Sequence, residues 1–143
     1  MARFEGKSLV VMVENSSSAE VAFTFVVGAT VNFEYAKVVT EGDDEQAALA
    51  GQLMSEVIVD YEYDDTSTTG NHAVLSGIDG DNTNPRMIRV RPIGTGSGLT
   101  QFSMDSALVK WGPTGVQRGE RVMGQATFKL HANATATPAW AGQ

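Results

Sequence analysis

The stretch Arg89–Pro113, RVRPIGTGSGLTQFSMDSALVKWGP, decides how the chain is read. Its glycine cluster at 94, 96 and 98 has two readings, a phosphate cradle or a flexible connection between strands. A cradle needs backbone amides gathered at a helix N-terminus, and the nucleotide-binding form of such a loop ends in Lys-Ser/Thr. Neither condition is met, because LTQFSMDSALVKW follows directly and alternates apolar with polar residues as a strand does. The cluster therefore reads as a strand connection, and the chain as a β-rich building block.

The same period of two runs outward on both sides. In RVMGQATFKLHA, Val122, Gly124, Ala126, Phe128 and Leu130 alternate with Met123, Gln125, Thr127, Lys129 and His131. In SEVIVDYEYDD, Val57, Val59, Tyr61 and Tyr63 share one face, while Glu56, Ile58, Asp60, Glu62 and Asp64 share the other. SLVVMVE, VAFTFVV, VNFEYAKVV and RMIRVRP complete a set of about seven strands separated by Gly, Ser, Asn and Pro clusters. The expected fold is mainly β, a β-sandwich or half-barrel with one short helix and a long loop. The helix is placed at Asn71–Ile78. The loop is Glu41–Gln52, charged and small-residued without a period; it is expected to be mobile in a free subunit and ordered by a neighbour.

With 143 residues, 42% of them hydrophobic, the chain suits one domain, 1–143, with a real core. Residues 133–143, poor in large apolar side chains except Trp140, are expected to leave the domain as an extended tail unless they find something to dock on. The absence of cysteine excludes disulfides, thiolate metal sites and a cysteine nucleophile. No apolar run reaches the ~20 residues of a membrane span or forms a signal-peptide core, so the expectation is a soluble, unprocessed chain with no membrane binding.

The net charge of -7 is unevenly spread. Residues 1–85 carry fifteen acidic and three basic side chains, residues 86–143 two acidic and seven basic. Either folding pairs strands from the two halves and mixes the charges, or the subunit has one acidic and one basic surface.

Candidate chemistry is sparse. His72 and His131 lack the spacing of a zinc site. The run Asp79–Asn84, DGDNTN, gathers oxygen ligands but lacks the closing Glu of a calcium loop, and a polar turn is the plainer reading. The row Glu56, Asp60, Glu62 offers carboxylates for general acid and base work, but on a strand face such a row is ordinarily just solvated. No catalytic, metal or cofactor residue is assigned, and an enzyme is not expected.

The run MIRVRPIGTGSGLTQFSMDSALVKWGPTGVQRGERVMGQATFKLHANATATPAW resembles the C-terminal half of the tail tube (major tail) proteins of long-tailed bacteriophages, where a "vrvrpiGtG"-type strand leads through a Gly-rich loop to another strand and a "vtftGtG"-like strand closes the sheet. GKSLVVMVE and VNFEYAKVVTEGDDEQAALAGQLMSEVIVDYE are similar to that family's opening strands. The sequence departs from the family where a longer helix is expected, since GNHAVLSGIDGD is short and broken by glycine. The resemblance implies a structural virion protein of the tail, made in the host cytoplasm. It would form hexameric rings stacked head to tail around a conduit for double-stranded DNA that passes without specific binding, with tape measure and tail terminator proteins as further partners. A conduit should repel phosphates rather than hold them, so Glu56, Asp60, Glu62 and Asp64 are the candidate channel lining. Asp43, Asp44, Glu45, Arg118, Arg121 and Trp140 are the candidate subunit or ring contacts, and Trp140→Ala is expected to weaken assembly more than folding. The alternative is a capsid decoration or neck protein that forms closed oligomers. A carbohydrate-binding module is a third reading, with only Trp111 and Trp140 as conspicuous aromatics.

Overall fold

The computed structural model describes residues 8–39 and 48–143, with side chains described at 8–34 and 54–143. Eight strands and one helix follow in the order β1 (Val10–Glu14), β2 (Glu20–Ala22), β3 (Val26–Val39), β4 (Ala48–Glu62), α1 (Asn71–Ile78), β5 (Arg86–Arg91), β6 (Thr100–Gly115), β7 (Met123–Leu130) and β8 (Ala139–Gly142). All pairings are antiparallel, in one sheet of order β2-β1-β5-β6-β7-β4-β3, with β8 on β6.

That sheet is strongly curled. β3 and β6 stand three places apart, about 14 Å in a flat sheet at ~4.8 Å per strand. Yet the rings of Phe33 on β3 and Phe102 on β6 meet edge-to-face with centroids 5.7 Å apart. β1 and β3, five places apart, come within 8 Å at Cα. A register shift in β6 between Leu108 and Lys110, and others in β3–β4 and near the end of β6, supply the extra bend that bulges give. Of the two architectures expected, the half-barrel is the one formed.

The concave face holds the core. Val11, Val13, Val57, Val59, Tyr61, Ile88, Val90, Phe102, Met104, Ala126 and Phe128 alternate inward, and α1 closes one opening with Val74, Leu75 and Ile78. Burying each Val, Ile or Phe is worth about 1.5–3 kcal/mol, so this face fixes the register of every strand that contributes to it.

The helix matches its expected span, and the reason it sits there is Asn71. Its side chain is fully buried, donates to the carbonyls of Thr24 (3.1 Å) and Glu62 (2.8 Å), and accepts from the amide of Asp64 (3.0 Å). One residue thus ties the helix start to the β2–β3 turn and the end of β4.

Three expectations are adjusted. VAFTFVV is not one strand: Phe25 takes φ 52°, and the chain turns there between β2 and β3. The segment Ala48–Gln52 belongs to β4 rather than to a loop through Gln52; Asp43, Asp44 and Glu45 lie outside the described residues. The C-terminal segment does find something to dock on and becomes β8.

Candidate functional site

The convex face of β3, β4 and β7 carries the polar half of the alternation. Glu56, Ile58, Asp60 and Glu62 of β4 point outward, opposite Lys129, Thr127, Gln125 and Met123 of β7. The register brings each carboxylate to a partner from the basic half of the chain. Lys129 Nζ lies 3.5 Å from Glu56, which also accepts from Asn32 of β3 at 3.2 Å. Gln125 donates to Asp60 at 2.9 Å, and Arg121 lies 3.5 Å from Glu62. Elsewhere Arg89 and Arg91 of β5 meet Glu20 of β2, and Arg86 meets Asp81 at 2.7 Å. Folding therefore mixes the charges that the sequence keeps apart. Each exposed pair is worth at most about 1 kcal/mol, so the consequence is a patterned surface more than added stability.

Asp64 does not join the row. It lies two residues beyond the end of β4, where it accepts from the Thr66 hydroxyl (2.6 Å), the Thr66 amide (3.0 Å) and the Thr24 hydroxyl (2.8 Å). These bonds, that of the Thr66 hydroxyl foremost, hold its carboxyl below the ordinary aspartate range. It is a turn residue at the start of the helix.

The run DGDNTN is likewise a turn. The amides of Asn84 (2.9 Å) and Thr83 (3.0 Å) and the Arg86 guanidinium (2.7 Å) occupy the carboxylate of Asp81 and depress its pKa, the Asn84 amide most. His131, buried, accepts from the Asn133 amide at Nδ1 (2.9 Å), which leaves Nε2 to donate to the Asp81 carbonyl (3.2 Å). The histidine thus braces the loop against the tail. Among the described residues no three His, Cys, Asp or Glu side chains gather as metal ligands would.

The glycine cluster is a strand connection. Gly94 and Gly98 take φ 96° and 80°, conformations open to glycine, and the cluster is bound by the C-terminus. Gln143 donates its side-chain amide to the Gly94 carbonyl (2.8 Å) and accepts from the Gly96 amide (3.1 Å), while its backbone carbonyl accepts from Gly98 (3.2 Å). Trp140, 44% exposed, rests its ring 5.3 Å from that of Phe102. Asp105 completes the docking, with Oδ2 accepting from the amides of Thr135 (3.1 Å) and Ala136 (3.2 Å) and the Thr135 hydroxyl (3.3 Å). The sequence does not single out Asp105, because its position on β6 faces outward and only the tail folding across it buries it.

Arg118 and Arg121 lie in the connection 116–122 between β6 and β7, as expected of a hairpin loop. Arg121 reaches back to Glu62, whereas Arg118 is exposed and has no ion pair among the described residues.

With this geometry in place, comparison with solved structures is decisive for the fold. The SPP1 tail tube superposes with a TM-score of 0.72 at 6% identity, over 99% of this chain and 80% of that one. The chain has the tail-tube fold. The tail of an empty gene transfer agent particle matches with a TM-score of 0.68 at 13% identity over 94% of this chain and 99% of that one. The sheath–tube complex of an extracellular contractile injection system matches at 0.66 and 9% identity over 99% and 93%. No protein-family model and no curated protein sequence matches the chain.

Proposed function

We propose that this chain is a structural virion protein that assembles into hexameric rings stacked as a tail tube, a conduit for DNA ejection. The observation that carries the reading is the superposition of 99% of the chain on the SPP1 tail tube. The C6 symmetry of the gene transfer agent tail supports six subunits per ring. Neighbours drawn from a baseplate and from tube-terminating assemblies support partners at the two ends of the tube, where tape measure and terminator proteins would act.

In this reading the convex face with Glu56, Asp60 and Glu62 lines the lumen, Asp64 being held aside in its turn. Lys129 and Arg121 temper the carboxylates, so the lining neither collects phosphates nor carries a dense acidic band. That is the property a passage for DNA requires, since each phosphate held by a lysine or arginine adds salt-dependent affinity. The interface roles of Arg118, Arg121 and Trp140 belong to the same proposal, and those of Asp43, Asp44 and Glu45 rest on the sequence alone. A capsid decoration or neck protein would close into a particle of fixed size. Sedimentation velocity and electron microscopy of the purified protein across a concentration series separate the two. Open tubes that lengthen with concentration support the proposal; a single closed oligomer, or a monomer throughout, refutes it.

A further inference from the structure

The pairing of β4 with β7 stops at Glu56↔Lys129, because the chain leaves the sheet after Leu130 while β3 and β4 run on. The result is a trough of about 460 Å³ beside a stretch of β4 that has no β7 partner among the described residues. Its walls combine an exposed apolar pair, Met54 (49% exposed) and Leu130 (36%), with the carboxylates of Glu34 and Glu56. Lys129 already faces Glu56, whereas Glu34 is exposed and has no ion pair among the described residues. Ser55 also lines the trough; it is 6% exposed, and its hydroxyl is buried without a hydrogen-bond partner.

The complementary feature lies at the other end of β7. The β6–β7 hairpin loop adjoins the Glu62↔Met123 pair, six residues along β4 from Glu56 and so about 20 Å away. It presents Val116, 64% exposed, and Arg118, which has no ion pair among the described residues, while Arg121 lies 3.5 Å from Glu62 at its base. An apolar side chain and a cation without an ion pair among the described residues thus stand at one end of β7. An apolar trough with a carboxylate that has no ion pair among the described residues stands at the other, beside the β3–β4 ribbon that runs on past it.

We propose that the hairpin loop of one copy of this chain docks in the trough of the next, Val116 against Met54 and Leu130 and Arg118 on Glu34. Two different surfaces at opposite ends of β7 make a heterologous contact that repeats without closing, and electrostatic complementarity sets its direction and register. The inference rests on the tube reading and names the contact between successive rings.

The test is a charge-reversal cycle on the full chain, with folding checked by circular dichroism, since both side chains are exposed and neither substitution touches the core. Arg118→Glu and Glu34→Arg, each alone, are expected to raise the critical concentration for tube growth at least about tenfold, because each replaces an attraction by a like-charge repulsion. The double variant R118E/E34R is expected to return it to within a few-fold of wild type. If wild type forms tubes and the single variants grow them at the same concentration, or the double variant fails to recover, this contact is wrong while the tube reading stands. If wild type forms no tubes, the reading beneath it fails as well.

Discussion

Gly124 on β7 is the position where one methyl group should be felt most clearly. A Cβ added there would lie 2.5 Å from Cε2 and Cζ of Tyr61 and 2.7 Å from its hydroxyl, against an ordinary contact of 3.4 Å or more. The ring is 1% exposed and packed edge-to-face on Phe23 at 5.3 Å, so it cannot swing into solvent and must move by nearly an ångström within the core. Overpacking of this kind costs about 1–3 kcal/mol. Replacing glycine in a strand returns up to ~1 kcal/mol of backbone entropy, so an overpacking cost in the middle of that range, about 2 kcal/mol, leaves Gly124→Ala about 1–2 kcal/mol less stable. For a chain of this length that is a fall in Tm of roughly 3–8 °C. Urea and thermal unfolding of the unassembled subunit, followed by far-ultraviolet circular dichroism, measure it. Tyr61→Leu makes room for the methyl, so the double variant should cost less than the sum of the single ones by about 1 kcal/mol. An unchanged or raised Tm for Gly124→Ala, or strict additivity with Tyr61→Leu, would refute the packing argument.

Three further outcomes follow from the same geometry. Asp105→Ala removes the acceptor that holds Thr135 and Ala136 and should release β8; hydrogen exchange at Trp140–Gly142 should accelerate at least tenfold while Val57 and Val59 remain protected, and equal protection would contradict the clamp. Asp81 has a folded pKa below the ordinary aspartate value of 3.8, so its contribution is complete above that value and lost as pH falls through the depressed one; Asp81→Asn should flatten the acid limb of stability in pH-dependent urea titrations, and an unchanged limb would count against it. Asp60→Lys with Glu62→Lys replaces two carboxylates by cations beside Arg121 and should make assembled tubes retain DNA at low salt and release it as salt rises; release as fast as wild type at low salt would remove this face from the lumen.

What could be read from the sequence was what local period and local chemistry decide. Val57, Val59 and Tyr61 alternate with Glu56, Asp60 and Glu62, and the core takes the first set as expected. The helix at Asn71–Ile78 follows from an apolar cluster too short for anything else, although the latch formed by Asn71 needs carbonyls nine and 47 residues away. β8 was hidden because its four residues carry only one large apolar side chain; its stability comes from Phe102, Asp105 and the glycine loop, all distant in sequence. The mixing of charge was hidden for a related reason, since the identity of the partner of Glu56 or Glu62 depends on β4 pairing with β7 in one register. The trough exists only because β7 stops where β4 continues, a fact of relative strand length that no single segment contains.

The central claim is that copies of this chain stack into an open tube with the Glu56, Asp60 and Glu62 face turned inward. Helical reconstruction by cryo-electron microscopy of the purified, polymerised protein tests it directly. The account predicts a hollow six-subunit repeat with those carboxylates on the lumen wall. A closed particle, or a tube carrying that face on its outer surface, would contradict it.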